Sequence, residues 1–223
     1  MTKPKQMSEN FILGIILAVV GGYLDAYTYL VRGGVFANAQ TGNIVLLGIN
    51  IAQGNYSKTL QYLLPIAAFS AGILIAESIK TKLNKNRHIH WRQIIIAVEI
   101  VLLFVVAFIP YGKSDIIVNT FISFVCSLQV ESFRVINGST VATTMCTGNL
   151  RSGTQLLFIG ISTKNKSALK QCLNYYSIIL FFIIGAIAGA LLTNYFGTKS
   201  LFACCILLVI PFAMMFKKNK SDI

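Results

Sequence analysis

Acidic side chains are scarce in this chain: seven aspartates and glutamates stand among 223 residues, against nineteen lysines and arginines. Histidine is scarcer still, with two residues, and no HExxH-type pattern, nucleotide-binding glycine loop or paired nucleophile and base can be read along the chain. An enzyme, a cofactor and a resident metal are therefore not expected. The five cysteines, Cys126, Cys146, Cys172, Cys204 and Cys205, are odd in number and lack both paired metal spacing and the layout of a small secreted disulfide framework, so they read as small buried hydrophobes. Charge of either sign is low: 12% of residues are charged and 55% hydrophobic, with a mean hydropathy of +0.70, which excludes an ordinary soluble domain of this length.

What the sequence has instead is apolar runs of the length a helix needs to cross a bilayer, about 20 residues. Six qualify: Phe11 to Val31, Leu60 to Ile79, Gln93 to Ile109, Ile116 to Ile136, Asn174 to Thr193 and Leu201 to Phe216. The first is too long for a signal-peptide core and no small-residue cleavage site follows it, so it is expected to be a retained span. Two weaker stretches, Val35 to Ala52 and Val141 to Ile161, are interrupted by Gln, Asn, Thr, Gly and, in the second, Arg151. With six spans, the basic segment Lys80, Lys82, Lys85, Arg87 and Arg92 falls on the same side as Lys3, Lys5, Lys164, Lys166, Lys170, Lys217, Lys218 and Lys220, leaving only Arg32, Lys58, Lys113 and Lys199 opposite. This asymmetry predicts both termini in the cytoplasm and a multi-pass protein of the plasma membrane; it also accounts for the net charge of +12 without nucleic acid. The weak stretches are then expected as re-entrant or broken-helix elements, tolerated at depth where protein or a wet cavity satisfies the backbone.

Thr41-Gly42-Asn43 recurs as Thr147-Gly148-Asn149, an offset of 106 positions, and the same offset carries Asp25 onto Glu131. The fold expected is thus an all-α membrane domain over residues 1–223, built as a 3+3 repeat of halves 1–114 and 115–223. Halves with an odd number of spans insert with opposite topology, the symmetry of many transporters and channels. Asp25 lies in an otherwise apolar helix, where a charge costs on the order of 3 kcal/mol unless it meets a partner or water. It reads as a proton or cation site or a polar ligand anchor, or else as a structural hydrogen bond to a neighbouring helix or an interfacial position near the end of the span. Gln129, Glu131 and Arg134 share one span, and the i, i+3 spacing lets the last two neutralise each other or face a solute. Each tripeptide, with Gln40 or Cys146 just before it, suits N-capping at the start of a broken helix whose free N–H groups could meet a polar solute.

The candidate binding residues are therefore Asp25, Gln40, Thr41, Gly42, Asn43, Gln129, Glu131, Arg134, Thr147, Gly148 and Asn149. His88 and His90, beside Trp91 in a basic segment, are expected to be solvated and not to hold a metal. The reading that follows is a small-solute or ion transporter or channel in the lipid bilayer, its coupling proton carried by Asp25 and Glu131, with a homodimer as one way to complete so small a carrier. A structural or regulatory membrane subunit without flux is the alternative.

Gly22-Tyr23-Leu24-Asp25-Ala26 followed by Val35-Phe36-Ala37-Asn38-Ala39-Gln40-Thr41-Gly42-Asn43 resembles the signature of the YoaK family of uncharacterised bacterial membrane proteins. Leu128-Gln129-Val130-Glu131-Ser132-Phe133-Arg134 and Ala142-Thr143-Thr144-Met145-Cys146-Thr147-Gly148-Asn149 resemble its second motif. The resemblance covers nearly the whole chain and implies a six-helix integral membrane protein, with no substrate attached.

Overall fold

The computed structural model describes residues 10–83 and 91–216; His88 and His90 lie outside them. It is mostly helical: α1 (Phe11–Val31), α2 (Gln40–Ala52), α3 (Tyr56–Leu83), α4 (Trp91–Val106), α5 (Asp115–Ser132), α6 (Cys146–Ser162), α7 (Lys166–Phe196) and α8 (Leu201–Met214). A two-residue hairpin, β1 (Val135–Ile136) with β2 (Ser139–Thr140), separates α5 from α6, and a 3-10 turn at Gly197–Ser200 joins α7 to α8. Asn10 and Asn165 cap α1 and α7 by accepting from Ile12 N at 2.9 Å and from Ser167 N at 3.0 Å.

Among the described residues, three helical stretches are long and apolar enough to cross a membrane: Phe11–Val31, Tyr56–Leu83 and the 49-residue Lys166–Met214, which holds two helices. The helix at α5 stops at Ser132, four residues short of the expected span end at Ile136, because the hairpin takes over the chain there. The two weak stretches do form helices, α2 of 13 residues and α6 of 17. At a rise of about 1.5 Å per residue, α2 is about 20 Å long, short of the hydrocarbon thickness. The outer surface is apolar: Leu74, Phe158 and Ile206 are each about 70% exposed, an arrangement suited to lipid rather than water.

Long-range packing is dominated by α1 against α7 and α3 against α5. Small residues permit the first of these. A Cβ on Gly22 would run into the Phe182 carbonyl, and one on Gly185 into the carbonyl of Val19, so the two backbones all but touch. The interior is filled by Leu13, Leu17, Val20, Leu103, Ile122 and their neighbours from α1, α4, α5 and α8.

Contacts at the helix ends orient the bundle. Arg32, just past α1, donates to the carbonyls of Ile109 and Pro110 and pairs with Asp115 at 2.9 Å, so the end of α1, the α4–α5 turn and the start of α5 lie together. Gln61 near the start of α3 donates to Gly33 O at 3.2 Å, placing that start at the same end. At the other end Arg92 of α4 donates to Ser132 O at 2.7 Å, and Ile136 packs on Gly14 of α1.

Candidate functional site where two loops meet on one helix

Gly33 and Gly34, with φ of 80° and 73°, turn the chain sharply after α1, a conformation that glycine adopts without strain. The following residues then run back along the last turns of α1. Ala37 N donates to Thr28 Oγ1 at 3.3 Å, Asn38 N to Asp25 Oδ1 at 2.9 Å, and Asn38 Nδ2 to Gly21 O at 3.0 Å. Asp25 is buried and spends one carboxylate oxygen holding the backbone of this loop. Gln40 Nε2 and Ser123 Oγ, the latter from α5, both donate to Ala37 O, at 2.8 and 2.9 Å.

The loop before α6 arrives at the same turn of α1. A Cβ on Gly21 would lie 3.0 Å from Thr144 Cγ2 and 3.2 Å from Thr143 O. Gln129 Nε2 ties this loop to α1 by donating to Thr143 Oγ1 at 3.0 Å and Leu17 O at 3.1 Å. Positions 38 and 144 stand 106 apart, the offset of the repeated tripeptides, so equivalent residues of the two loops meet on one glycine. Asn38 Oδ1 and Thr144 Oγ1 are both buried there without a hydrogen-bond partner among the described residues. Cys146, at the start of α6, lies within electrostatic reach of Asp25.

The tripeptides sit inside the first turns of α2 and α6, and the N-cap positions are Ala39 and Met145, neither of which makes a side-chain cap bond. The capping role expected of these segments is therefore not theirs: each helix begins one residue before its threonine, which leaves Thr41 and Thr147 exposed on the first turn. The asparagines act backwards instead. Asn43 Nδ2 donates to Phe36 O at 2.8 Å and Asn149 Nδ2 to Ala142 O at 2.6 Å, and residues 36 and 142 are again 106 apart. One clamp, built twice, pins each loop to its helix. Of the remaining tripeptide positions, Gly148 is exposed and Gly42 half-buried.

Glu131 does not share the setting of Asp25. It pairs with Arg134 at 3.3 Å near the bundle end, Arg134 being 62% exposed, and it faces Glu77 of α3, itself paired with Lys80. Helix α5 ends one residue after Glu131, whereas α1 continues for six residues past Asp25, so equal sequence positions reach unequal depths. A cavity of about 290 Å³ opens here between Lys80, Trp91, Arg92, Glu131, Ser132 and Arg134. The structure thus gathers Asp25, Gln40 and Gln129 around the two loops and leaves Glu131 and Arg134 at the end.

Two buried charged residues were not singled out by sequence reasoning. Arg32, fully buried, donates to Tyr27 Oη, to two carbonyls and to Asp115. Its partners on the α4–α5 turn lie more than 75 positions away, which no local pattern signals. Glu99, also fully buried, is the lone carboxyl in the apolar run of α4, and the rule that intramembrane acids are functional until shown otherwise would have found it.

Residues 13–214 match the model of a family described as "Protein of unknown function (DUF1275)". The chain is similar to the UPF0700 transmembrane protein YoaK of Bacillus subtilis (strain 168), 26% identical over 194 residues that make up 82% of this chain and 83% of that protein. No solved structure matches.

Proposed function

The chain belongs to this DUF1275 family of transmembrane proteins, and from its own geometry we propose that it is a secondary transporter or channel for a small solute or ion in the plasma membrane. The observation that carries the reading is the meeting of two symmetry-related loops on Gly21, beside Asp25, with the buried oxygens of Asn38 and Thr144 unpartnered. Unsatisfied polar atoms in a membrane interior cost on the order of 1–3 kcal/mol each, and a polar solute taken in between the loops would relieve them.

The proposed architecture is six spans, α1, α3, α4, α5, α7 and α8, in two inverted halves, with α2 and α6 re-entrant. Packing supports it. The pair α1–α7 has its counterpart in α5–α3, α2–α3 in α6–α7, and α1–α8 in α5–α4, each element exchanged for its repeat mate. The start of α2 lies beside Asp25 inside the bundle, while the next helix begins at the end where α1 stopped. Such interrupted helices at the repeat interface build the midplane sites of inverted-repeat transporters. Both termini then face the cytoplasm with the basic residues.

A structural subunit without flux is the second reading, favoured by one observation: Asp25, Asn43 and Asn149 all make internal bonds. Flux separates the two. In proteoliposomes with imposed pH gradients, tested against amino acids, sugars, nucleosides and inorganic ions, the wild-type protein is expected to move at least one solute. Asp25→Asn should lower that flux by about tenfold or more while remaining folded, because the amide keeps an acceptor for Asn38 N but not the charge. Wild-type flux equal to that of empty liposomes for every solute would leave the subunit reading.

A further inference from the structure

Several titratable groups are buried in the bundle core, and one of them is unexplained. Cys126 of α5 is buried and lies within electrostatic reach of both Asp25 of α1 and Glu99 of α4. From α8, Cys204 lies near Cys126, and the Cys205 thiol contacts Ile100 O at 3.7 Å. Helix α3 presents apolar Ala76 and Ile79 to the start of α4. Glu99 has no accessible surface, and neither of its carboxyl oxygens has a hydrogen-bond partner. Ile96, Leu103 and Val106 on the same helix pack into the apolar core around it. Among the described residues no hydrogen bond or ion pair accounts for a carboxyl in this place.

We infer that Glu99 is a proton-binding site, loaded and unloaded from water when the two loops beside Asp25 separate. The ion is a proton on chemical grounds. A hard metal cation takes about six or more oxygen ligands in one shell. Here Asp25 and Glu99 stand on different helices, and no group of three metal-ligating side chains gathers among the described residues. A proton needs only the carboxyl oxygen that binds it. Coupling follows from the position: the proton leaves the Glu99 oxygen only in a conformation that brings water to it, and the loops that would have to move are those at Asp25. The inference relies on the transport reading for what the proton drives, and on the geometry alone for where it binds.

Difference infrared spectroscopy of the purified full-length protein in liposomes tests it, with protons, deuterons and sodium as the probes. The wild type should give the carbonyl band of a protonated carboxyl free of hydrogen bonds, which shifts in D2O, falls reversibly as pH rises and ignores added sodium. The band should be lost in Glu99→Gln and in Glu99→Met, the second variant burying no polar group in case the first misfolds, and retained in Asp25→Asn. A band that neither exchanges in D2O nor responds to pH marks a sealed structural acid and overturns the inference. So does a band that survives in Glu99→Met, or one removed by sodium at constant pH. If the band titrates as expected while no solute moves in the flux assay, the transport reading fails and the proton site stands.

Discussion

Replacing Arg32 with methionine is expected to cost the folded protein about 3–5 kcal/mol, the loss typical when one partner of a buried charged network is removed. The guanidinium is inaccessible and its donors serve Tyr27 Oη, Ile109 O, Pro110 O and Asp115, while its own carbonyl accepts from Asn119 Nδ2 at 2.7 Å. Methionine fills much of the volume and supplies none of the donors. Lysine restores the charge without the planar fork and should recover only part of the loss. Asp115→Asn should cost far less, about 1 kcal/mol, since its side chain is 20% exposed and the carbonyl bonds of Arg32 survive. Thermal unfolding in detergent orders the three variants. Equal melting temperatures for Arg32→Met and Asp115→Asn would mean that the carbonyl bonds contribute nothing.

Gly185→Val should be as damaging, for a steric reason. The added Cβ would meet the backbone carbonyl of Val19, which cannot rotate away as a side chain can, so α1 and α7 must separate along their longest contact. Overpacking usually costs about 1–3 kcal/mol, and a backbone obstacle belongs at or above the top of that range. Gly22→Ala should act from the other side of the same contact, against Phe182. Gly48→Ala is the control: nothing lies within 4 Å of the added methyl, so helix propensity alone predicts a neutral or slightly stabilising change. Melting temperature again reads the outcome, and a wild-type value for Gly185→Val would refute the packing described.

Much of this architecture was legible in the residues because it rests on local chemistry. Apolar runs located the long helices, with α1 matching at both ends. The interruptions at Val35 to Ala52 and Val141 to Ile161 mark where the chain forms short helices, and the offset of 106 gives the equivalent starts at Gln40 and Cys146. Asp25 stood out as a charge in an apolar helix and does lie beside the loops. What stayed hidden depends on contacts distant in sequence. The asparagine clamps look like caps until the helix start is fixed to the residue. Glu131 matches Asp25 in position but not in depth, since a hairpin ends its helix early. Arg32 read as a loop charge, because the carbonyls that hold it belong to the α4–α5 turn. Glu99 is hidden for the opposite reason: the apolar neighbours that mark α4 as a helix mask the single carboxyl within it.

The central claim is that the two loops enclose a site reached from both faces of the membrane, and Cys146 offers a native probe of it at the start of α6, half-buried and near Asp25. With Cys126, Cys172, Cys204 and Cys205 replaced by alanine, a membrane-impermeant maleimide should label Cys146 in right-side-out and in inside-out vesicles alike. Labelling from one face only, or from neither, would contradict an alternating pathway through this site.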